Sequence, residues 1–208
     1  AEGAENAEKS KISASFALSA VKDDLMNTII ALLRGINVGG HNKLPMKALK
    51  ALLEELSLAN VQTYIQSGNV VFQSERADLP ALAQEIGETI NAHHGFEPQI
   101  MLLSLAELAT AVSHNPFPAT DEQHKTLHFY FLSAAPPDPD LSSLEAIKSD
   151  TEQFELIDAV FYLHAPDGIG RSKLAAKVEK AVGVAATARN WRTVSTLLEM
   201  GTAVSTSP

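Results

Sequence analysis

Five consecutive apolar residues, Ile29–Leu33, are the feature that most constrains the fold of this chain. A run so short, with no polar interruption, predicts a β-strand that is buried on both faces. Glycine and polar residues follow it, and Pro45 then stands at a typical first position of a helix. The apolar residues after Pro45 recur at helical spacing, at Met46, Leu49, Leu52, Leu53 and Leu56. The chain therefore begins as a buried strand followed by an amphipathic helix.

The next segments extend this pattern to a complete βαββαβ unit over residues 26–103. Ser67-Gly68-Asn69 is a strong turn signal between two short apolar stretches, which predicts a hairpin. The predicted elements after the first helix are strands at Val61–Ile65 and Val70–Phe72, a helix at Leu79–Ala92 and a strand at Ile100–Leu103. This order is that of the ferredoxin-like split unit.

Residues 125–201 predict the same order with the last strand missing. The elements are a strand at Leu127–Leu132, a helix at Leu141–Ser149, strands at Phe154–Ile157 and Val160–Leu163, and helices at Ser172–Val182 and Trp191–Met200. A helix capped by Ser104 and the Asn115–Pro118 loop connect the halves over residues 104–124. We therefore predict an α+β fold of two ferredoxin-like subdomains, a duplication in which helices cover one face of each mostly antiparallel sheet.

The two ends of the chain differ from this pattern. Residues 1–25 are expected to be a leader or an N-terminal extension, with Met26 as the natural start, and residues 202–208 a disordered tail. Lys9 and Lys11 before the apolar stretch Ile12–Val21 resemble a signal peptide, but that stretch is short and contains three serines.

Composition excludes several functions. The 25 acidic and 16 basic residues give a net charge of −9, which does not favour non-specific binding to nucleic acid. No apolar run approaches the roughly 18 residues needed to cross a bilayer, so we expect no membrane partner. The chain has no cysteine, which excludes disulfides and thiolate chemistry. This fits the reducing cytoplasm, where we expect the protein to reside.

Polar residues concentrate where the first two strands end. A right-handed crossover makes these strands parallel, so their carboxyl ends meet at one edge of the sheet, beside the amino end of the first helix. The candidate ligand-binding residues at this edge are Arg34, Asn37, Gly39, Gly40, Asn42, Lys43, Gln66, Ser67 and Asn69. They suit an anionic or richly hydrogen-bonding ligand. The alternative is that the glycines only permit a tight connection and the second segment is only a hairpin turn.

Two later segments contribute further candidates. Arg171 and Lys173 flank Ser172 at a predicted helix start, an unfavourable place for cations unless an anion binds there. Arg189 and Asn190 are the other two candidates, and one or the other is predicted to lie at the cleft between the halves, facing the Arg34–Gly40 loop. Asn190 also suits a helix cap.

These assignments carry expectations about substitution. Exposed arginines contribute little to stability, so replacing Arg34 or Arg189 by alanine should leave the fold intact. Replacing Trp191, which we expect to be buried, should destabilise it.

Several kinds of catalytic site lack their required residues. Gly35 and Gly40 have phosphate-loop spacing, but His41-Asn42 stand where Lys-Ser/Thr is required, and G-x-G-x-x-G is absent. The seven histidines have no metal-ligand spacing. Ser67 with His41 could form a hydrolase pair, but the nucleophile-elbow motif is missing. We therefore expect no cofactor and no metal, and no catalytic residue is indicated.

Five motifs occur together across the chain. They read ALLRGINVGGHNKLPM at 31–46, TYIQSGNVVF at 63–72, NPFP at 115–118, RSK at 171–173 and TARNWRT at 187–193. In this order they resemble the bacterial domain-of-unknown-function family numbered 1697, over Met26 to Gly201. The resemblance implies that these segments belong to one family pattern, and it implies no activity.

Three functions are compatible with these observations. The first is a cytoplasmic protein, with or without enzymatic activity, that binds a small anionic ligand such as a phosphorylated metabolite at a polar cleft between the subdomains. The second is a nucleic-acid-binding module that stacks bases on sheet aromatics. The third is a structural or interaction protein without a ligand. The residues specify no oligomeric state.

Overall fold

The computed structural model describes residues 26–206, which form two four-stranded antiparallel sheets with helices between and around them. Residues 1–25, where a leader or extension is expected, lie outside the described part. The first half contains β1 (Asn27–Arg34), α1 (Met46–Glu55), β2 (Ala59–Tyr64), β3 (Asn69–Ser74), α2 (Leu79–His94), β4 (Gln99–Ser104) and α3 (Leu105–Ser113). Its sheet has the order β2-β3-β1-β4, with all neighbours antiparallel. The predicted βαββαβ unit is therefore present.

The second half repeats this arrangement. It contains β5 (Leu127–Leu132), α4 (Leu141–Glu145), β6 (Gln153–Ile157), β7 (Val160–His164), α5 (Val178–Val182), β8 (Ala186–Asn190) and α6 (Trp191–Ser205). Two single-turn 3₁₀ helices lie at Asp121–Gln123 and Ile169–Arg171. The sheet has the order β6-β7-β5-β8, which is that of the first half.

Equivalent hydrogen bonds relate the two halves. The Leu33 N–H donates to the carbonyl of Gly68 at 2.8 Å, and the Leu132 N–H donates to the carbonyl of Ala159 at 2.9 Å. In each half the fourth strand leads directly into a helix whose cap is the last strand residue. Ser104 forms a capping box with Glu107 in the first half, and the Asn190 side chain accepts from the Thr193 N–H in the second. The two halves are thus similar in strand order and in the junction that follows.

The prediction that the second half lacks its fourth strand was wrong. β8 occupies that position, antiparallel to β5, and pairs Phe129 with Arg189. Its alanines have low strand propensity, so the local sequence does not indicate a strand. Hydrogen-bonded pairing with the apolar β5 stabilises β8 as a strand, although its own residues have low strand propensity.

Helix boundaries also differ from prediction in the second half. The segment predicted as a helix from Ser172 is helical only at Val178–Val182, because residues 173–177 form turns. α6 continues to Ser205, so the expected disordered tail was wrong for residues 202–205. None of the helices within residues 26–206 has the length and apolarity needed to cross a bilayer.

Both faces of the first sheet are covered, in contrast to the single covered face that we predicted. Ile29, Ala31 and Leu33 of β1 pack with α1 and α2. The alternate residues Ile30 and Leu32 face a second core, which contains α3, α6 and the inner side of the second sheet. A third core lies under α4 and α5 on the outer side of that sheet. The uninterrupted apolar pattern of β1 follows from this burial on both faces.

Candidate functional site

The carboxyl ends of β1 and β2 meet at one edge of the first sheet, as predicted. Asn69 of β3 is the pairing partner of both Leu32 and Tyr64. The loop after β1 and the turn after β2 are therefore neighbours, and the candidate residues of both segments lie close together.

Asn37 joins these two loops. Its side-chain N–H₂ donates to the carbonyls of Leu44 and Gln66, at 2.9 and 2.8 Å. Its side-chain oxygen accepts from the Leu44 N–H at 2.9 Å. The Asn37 amide is therefore occupied by backbone groups and holds the loops in place.

The rest of the loop after β1 is a tight turn. Gly39 and Gly40 have φ of 59° and 81°, and the His41 N–H donates to the Val38 carbonyl at 3.0 Å. Asn42 donates to the Gly35 carbonyl at 3.0 Å. A Cβ built on Gly40 would meet no atom within 4 Å. The glycines at 39 and 40 therefore serve the left-handed turn conformation.

The Ser67-Gly68-Asn69 turn packs into the interior. Asn69 is fully buried, and its side-chain N–H₂ donates to the Ser67 hydroxyl at 2.9 Å and to the Tyr64 carbonyl at 3.3 Å. Gly68 has φ of 73°, and a Cβ there would lie 2.6 Å from the Cβ of Leu33. Only glycine fits this position without displacing β1.

Arg189 crosses from the second half to this turn. Its Nε donates to the Asn69 side-chain oxygen at 2.5 Å, and its terminal nitrogens donate to the carbonyls of Leu33, Ala188 and Ser67 at 2.8, 2.8 and 3.3 Å. Burial lowers the pKa of Arg189 to about 10. Arg189 thus contacts the end of β1, next to Arg34. The expectation that it is an exposed, structurally dispensable arginine was wrong, because oxygens of the protein surround its guanidinium.

Arg34 makes a second contact between the halves. Its guanidinium donates both terminal nitrogens to the Glu179 carboxylate of α5, at 2.6 and 2.7 Å, and also donates to Gln99 at 3.2 Å. The hydrogen bonds with Arg34 lower the pKa of Glu179, and the same bonds raise that of Arg34. Glu179 neutralises Arg34, and sequence reasoning missed it because 145 residues separate the two.

Other candidates at this edge remain exposed. The side chains of Lys43 and Gln66 point to solvent, and within residues 26–206 neither has a hydrogen-bond or ion-pair partner. Asn190 caps α6. Trp191, expected in the core, is only partly buried and stacks on Phe129 with ring centroids 5.9 Å apart.

Arg171 and Lys173 line a separate cavity, in the second half. This cavity has a volume of about 350 Å³ and lies between the end of α4 and the loop that carries the 3₁₀ helix. Its other lining residues include Lys148, Ser149, Glu152, Asp167, Gly168 and Ser172. No carboxylate of the described residues lies within 4.0 Å of the charged groups of Arg171 or Lys173. We call this space the basic cavity.

The acidic residues of the basic cavity already have partners. Glu152 is buried and accepts from the Ser149 N–H at 2.8 Å. Asp167 accepts from the Thr151 hydroxyl at 2.7 Å. Lys148 pairs with Glu145 at 2.8 Å, so Arg171 and Lys173 are the cations of the cavity that have no ion-pair partner within residues 26–206. The RSK motif was the sequence signal for Arg171 and Lys173. The lining residues that follow α4, from Ile147 to Glu152, carried no such signal in the sequence.

The described part of the chain groups no metal ligands. Within residues 26–206, no cluster of three or more His, Asp or Glu side chains could hold a metal ion. The Arg34–Gly40 edge and the basic cavity are therefore the two places where the described candidate residues meet.

Comparisons with known proteins agree with the fold. The model of a family described as "Protein of unknown function (DUF1697)" matches residues 26–162. The structure of conserved bacterial protein SP0830 from Streptococcus pneumoniae is similar, with a TM-score of 0.65 and 26% sequence identity. The match covers 85% of this chain and 99% of that chain. No match was found among the curated proteins.

Proposed function

The chain belongs to the DUF1697 family, whose description states no activity, and we propose from its geometry that it binds a small anionic ligand in the basic cavity. The observation that carries this proposal is the pair Arg171 and Lys173. Both line one cavity, and neither has a carboxylate partner among the described residues. In a chain of net charge −9, two unpaired cations on one cavity favour an anion.

The cleft between the halves is a weaker candidate for the same ligand. Glu179 pairs with Arg34, and protein oxygens accept four hydrogen bonds from Arg189. An anion there would have to compete with an existing carboxylate. We therefore assign the cleft residues to holding the halves together, and Arg171 and Lys173 to the ligand.

The cavity also indicates the chemistry of the ligand. Ser149, Ser172 and the carboxylates of Glu152 and Asp167 offer hydrogen-bond partners beside the two cations. Gly168 and Gly170 have no atom within 4 Å of a built Cβ, so a ligand can approach the backbone of this loop. A phosphorylated compound with hydroxyl groups can use both the cations and the carboxylates of the cavity. The cations pair with its phosphate, and the carboxylates accept hydrogen bonds from its hydroxyl groups. We propose a phosphorylated metabolite of the cytoplasm as the ligand class.

Binding of nucleic acid has less support. Six of the eight sheet aromatics that could stack on bases are buried in the cores, namely Phe72, Phe129, Tyr130, Phe131, Phe161 and Tyr162. Stacking on an open sheet requires exposed rings, and the faces that carry these rings are covered.

The test is a thermal-shift measurement with inorganic phosphate, pyrophosphate and a panel of sugar phosphates and nucleotides. A ligand that binds only the native state raises Tm, and above its Kd the increase in stability grows with the logarithm of the ligand concentration. We expect a phosphorylated compound to raise the Tm of the wild-type protein, and Arg171→Ala and Lys173→Ala each to reduce that shift. Lys47→Ala is the matched control, because it removes one exposed positive charge outside the cavity.

The outcomes separate the three functions. An equal loss of shift in Lys47→Ala would mean that net charge, not the cavity, attracts the anion. A loss in Arg34→Ala with no loss in Arg171→Ala would place the ligand at the cleft instead. Stabilisation by oligonucleotides alone, lost with rising salt, would favour the nucleic-acid module. The absence of any shift would favour an interaction protein without a small ligand.

A further inference from the structure

The strand β4 lies at an edge of the first sheet, with β1 as its only strand neighbour among residues 26–206. The direction of its backbone groups follows from one hydrogen bond. The Leu33 N–H points away from β4, to Gly68 of the hairpin turn. Because backbone groups alternate along an antiparallel strand, the neighbours Leu32 and Arg34 are the residues that bond to β4.

The pairing register then identifies the free backbone groups of β4. Leu32 stands opposite Met101 and Arg34 opposite Gln99, so these two residues of β4 bond to β1. Ile100 lies between Gln99 and Met101, and Leu102 follows Met101. The backbone N–H and C=O groups of Ile100 and Leu102 therefore point away from β1. Within residues 26–206, no group bonds to these outward donors and acceptors. β4 therefore presents an open hydrogen-bonding edge.

This edge lies at the floor of a trough. Three adjoining cavities, of about 450, 190 and 600 Å³, follow β4 from Pro98 to Leu103, and Met101 and Ser133 line all three. On one side is α2, with Leu79 and Ala83, and on the other is the second half, with Thr187. Six residues of strand span about 20 Å, which is the length of a short extended peptide.

We propose that this β4 trough binds an extended peptide of another protein as an added strand. Main-chain hydrogen bonds to Ile100 and Leu102 would supply the pairing, as in strand addition generally. The side chains lining the trough near Leu103 are largely apolar, among them Phe131 and Val160. Apolar residues at alternate positions of the peptide therefore fit the trough.

The charges around the trough indicate which residues the peptide carries on either side of its apolar core. Glu97 lies at one end, and Glu107 and Asp158 lie at the other, where His114 stands 3.8 Å from Asp158. This acidic border favours a peptide with lysine or arginine on both sides of its apolar core. A second copy of this chain fits less well, because its net charge of −9 does not complement an acidic border.

The test uses a defined probe, the capped peptide Lys-Val-Thr-Val-Thr-Val-Lys, and hydrogen exchange of the full chain followed by NMR. We expect the probe at about 1 mM, where even weak binding saturates appreciably, to slow exchange of the Ile100 and Leu102 amides. The change should be about tenfold, while the Met101 amide, already bonded to β1, should change little. The same peptide N-methylated at alternate residues keeps its side chains and loses the donors, and it should have no effect.

A protein variant provides a second measurement. Leu102→Pro removes an outward N–H that does not bond to β1, a change that edge strands tolerate, and should weaken probe binding about tenfold. Replacing both Glu97 and Asp158 by lysine should weaken binding of the lysine-flanked probe. The same double variant should bind a probe flanked by glutamate more tightly than the wild-type chain does.

Three results would overturn the proposal. The first is unchanged exchange of Ile100 and Leu102 with the probe, and the second is equal protection by the N-methylated peptide. The third is protection of these amides that rises with protein concentration in the absence of peptide, which would make a second copy the occupant. All three measurements remain valid if Leu102→Pro fails to fold, because they use the wild-type chain.

Discussion

Arg189 donates a hydrogen bond from its Nε to the side-chain oxygen of Asn69, 120 residues earlier in the sequence and in the other half of the molecule. The remaining amide group of Asn69 is held by its own turn, at Ser67 and Tyr64. A partly buried cation is thus stabilised by neutral oxygens, with no carboxylate of residues 26–206 among its hydrogen-bond partners. This arrangement keeps the two halves in a fixed orientation.

Replacing Arg189 by methionine should therefore destabilise the protein. The substitution leaves the Asn69 oxygen and three carbonyls without donors, and we expect a loss of about 3 kcal/mol in the free energy of unfolding by urea. Arg189→Lys should recover little of this lost stability, because an ammonium group lacks the planar arrangement of N–H donors in a guanidinium group. A double-mutant cycle with Asn69→Ala should give a coupling energy of about 1–2 kcal/mol. A coupling energy of zero would show that the two side chains act independently.

The ion pair of Arg34 with Glu179 should give stability that depends on acid pH. Arg34 lowers the pKa of Glu179 below its ordinary 4.5, so the contribution is complete above that pH and is lost as the pH falls through the lower value in the folded protein. Both side chains are over 40% exposed, which limits the contribution to roughly 1 kcal/mol or less. Glu179→Gln should be less stable than wild type at pH 7, and the two should become equal once the pH has fallen below the lowered pKa of Glu179 in the folded protein. Glu55→Gln, at an exposed carboxylate that forms no ion pair with another residue of 26–206, is the control.

Two glycines with similar backbone conformations should respond differently to alanine. Gly40→Ala places a side chain in open space at φ of 81°, and should cost about 1 kcal/mol. Gly68→Ala adds a contact of 2.6 Å with the Cβ of Leu33 to a similar φ, and should cost about 3 kcal/mol or more. Thermal unfolding of both variants measures the difference. Equal losses would mean that β1 moves readily away from the turn.

His128 should reduce stability at mildly acid pH. It is buried on β5, and burial lowers its pKa below the ordinary 6.5, although its contact with the Thr126 carbonyl opposes this. The unfolded chain therefore takes up the proton first, and stability falls as the pH drops below 6.5. His128→Gln should flatten this part of the profile. Urea unfolding at several pH values tests this.

The sequence predicted the first half well because its signals are local. β1 is continuously apolar, the helix after it has regular spacing, and Ser67-Gly68-Asn69 marks the hairpin turn. β8 was missed because Ala186 and Ala188 carry no strand signal, and only the pairing with β5 makes this segment a strand. The duplication itself was the available clue, since the first half ends in the same strand-to-helix junction.

The sequence predicted that two loops meet at one sheet edge, but not which contacts their side chains make. The convergence of the loop after β1 with the turn after β2 follows from handedness, which the element order determines. The pairing of Arg34 with Glu179 depends on how the halves pack, and no local pattern encodes a contact over 145 residues. For the same reason, the residues that form the β4 trough could not be assembled from the sequence.

The position of α6 between the sheets has a consequence for biosynthesis. This helix packs on β1 and β3, and Gln73 of β3 donates to the Val204 carbonyl near its end. The first sheet is translated early, yet the helix that covers Ile30 and Val71 is translated after all eight strands. At ordinary rates of synthesis, the interval from Ser104 to Ser205 is roughly 5 to 20 s. During that interval the nascent N-terminal half exposes an apolar sheet face, so its completion depends on the arrival of the last helix.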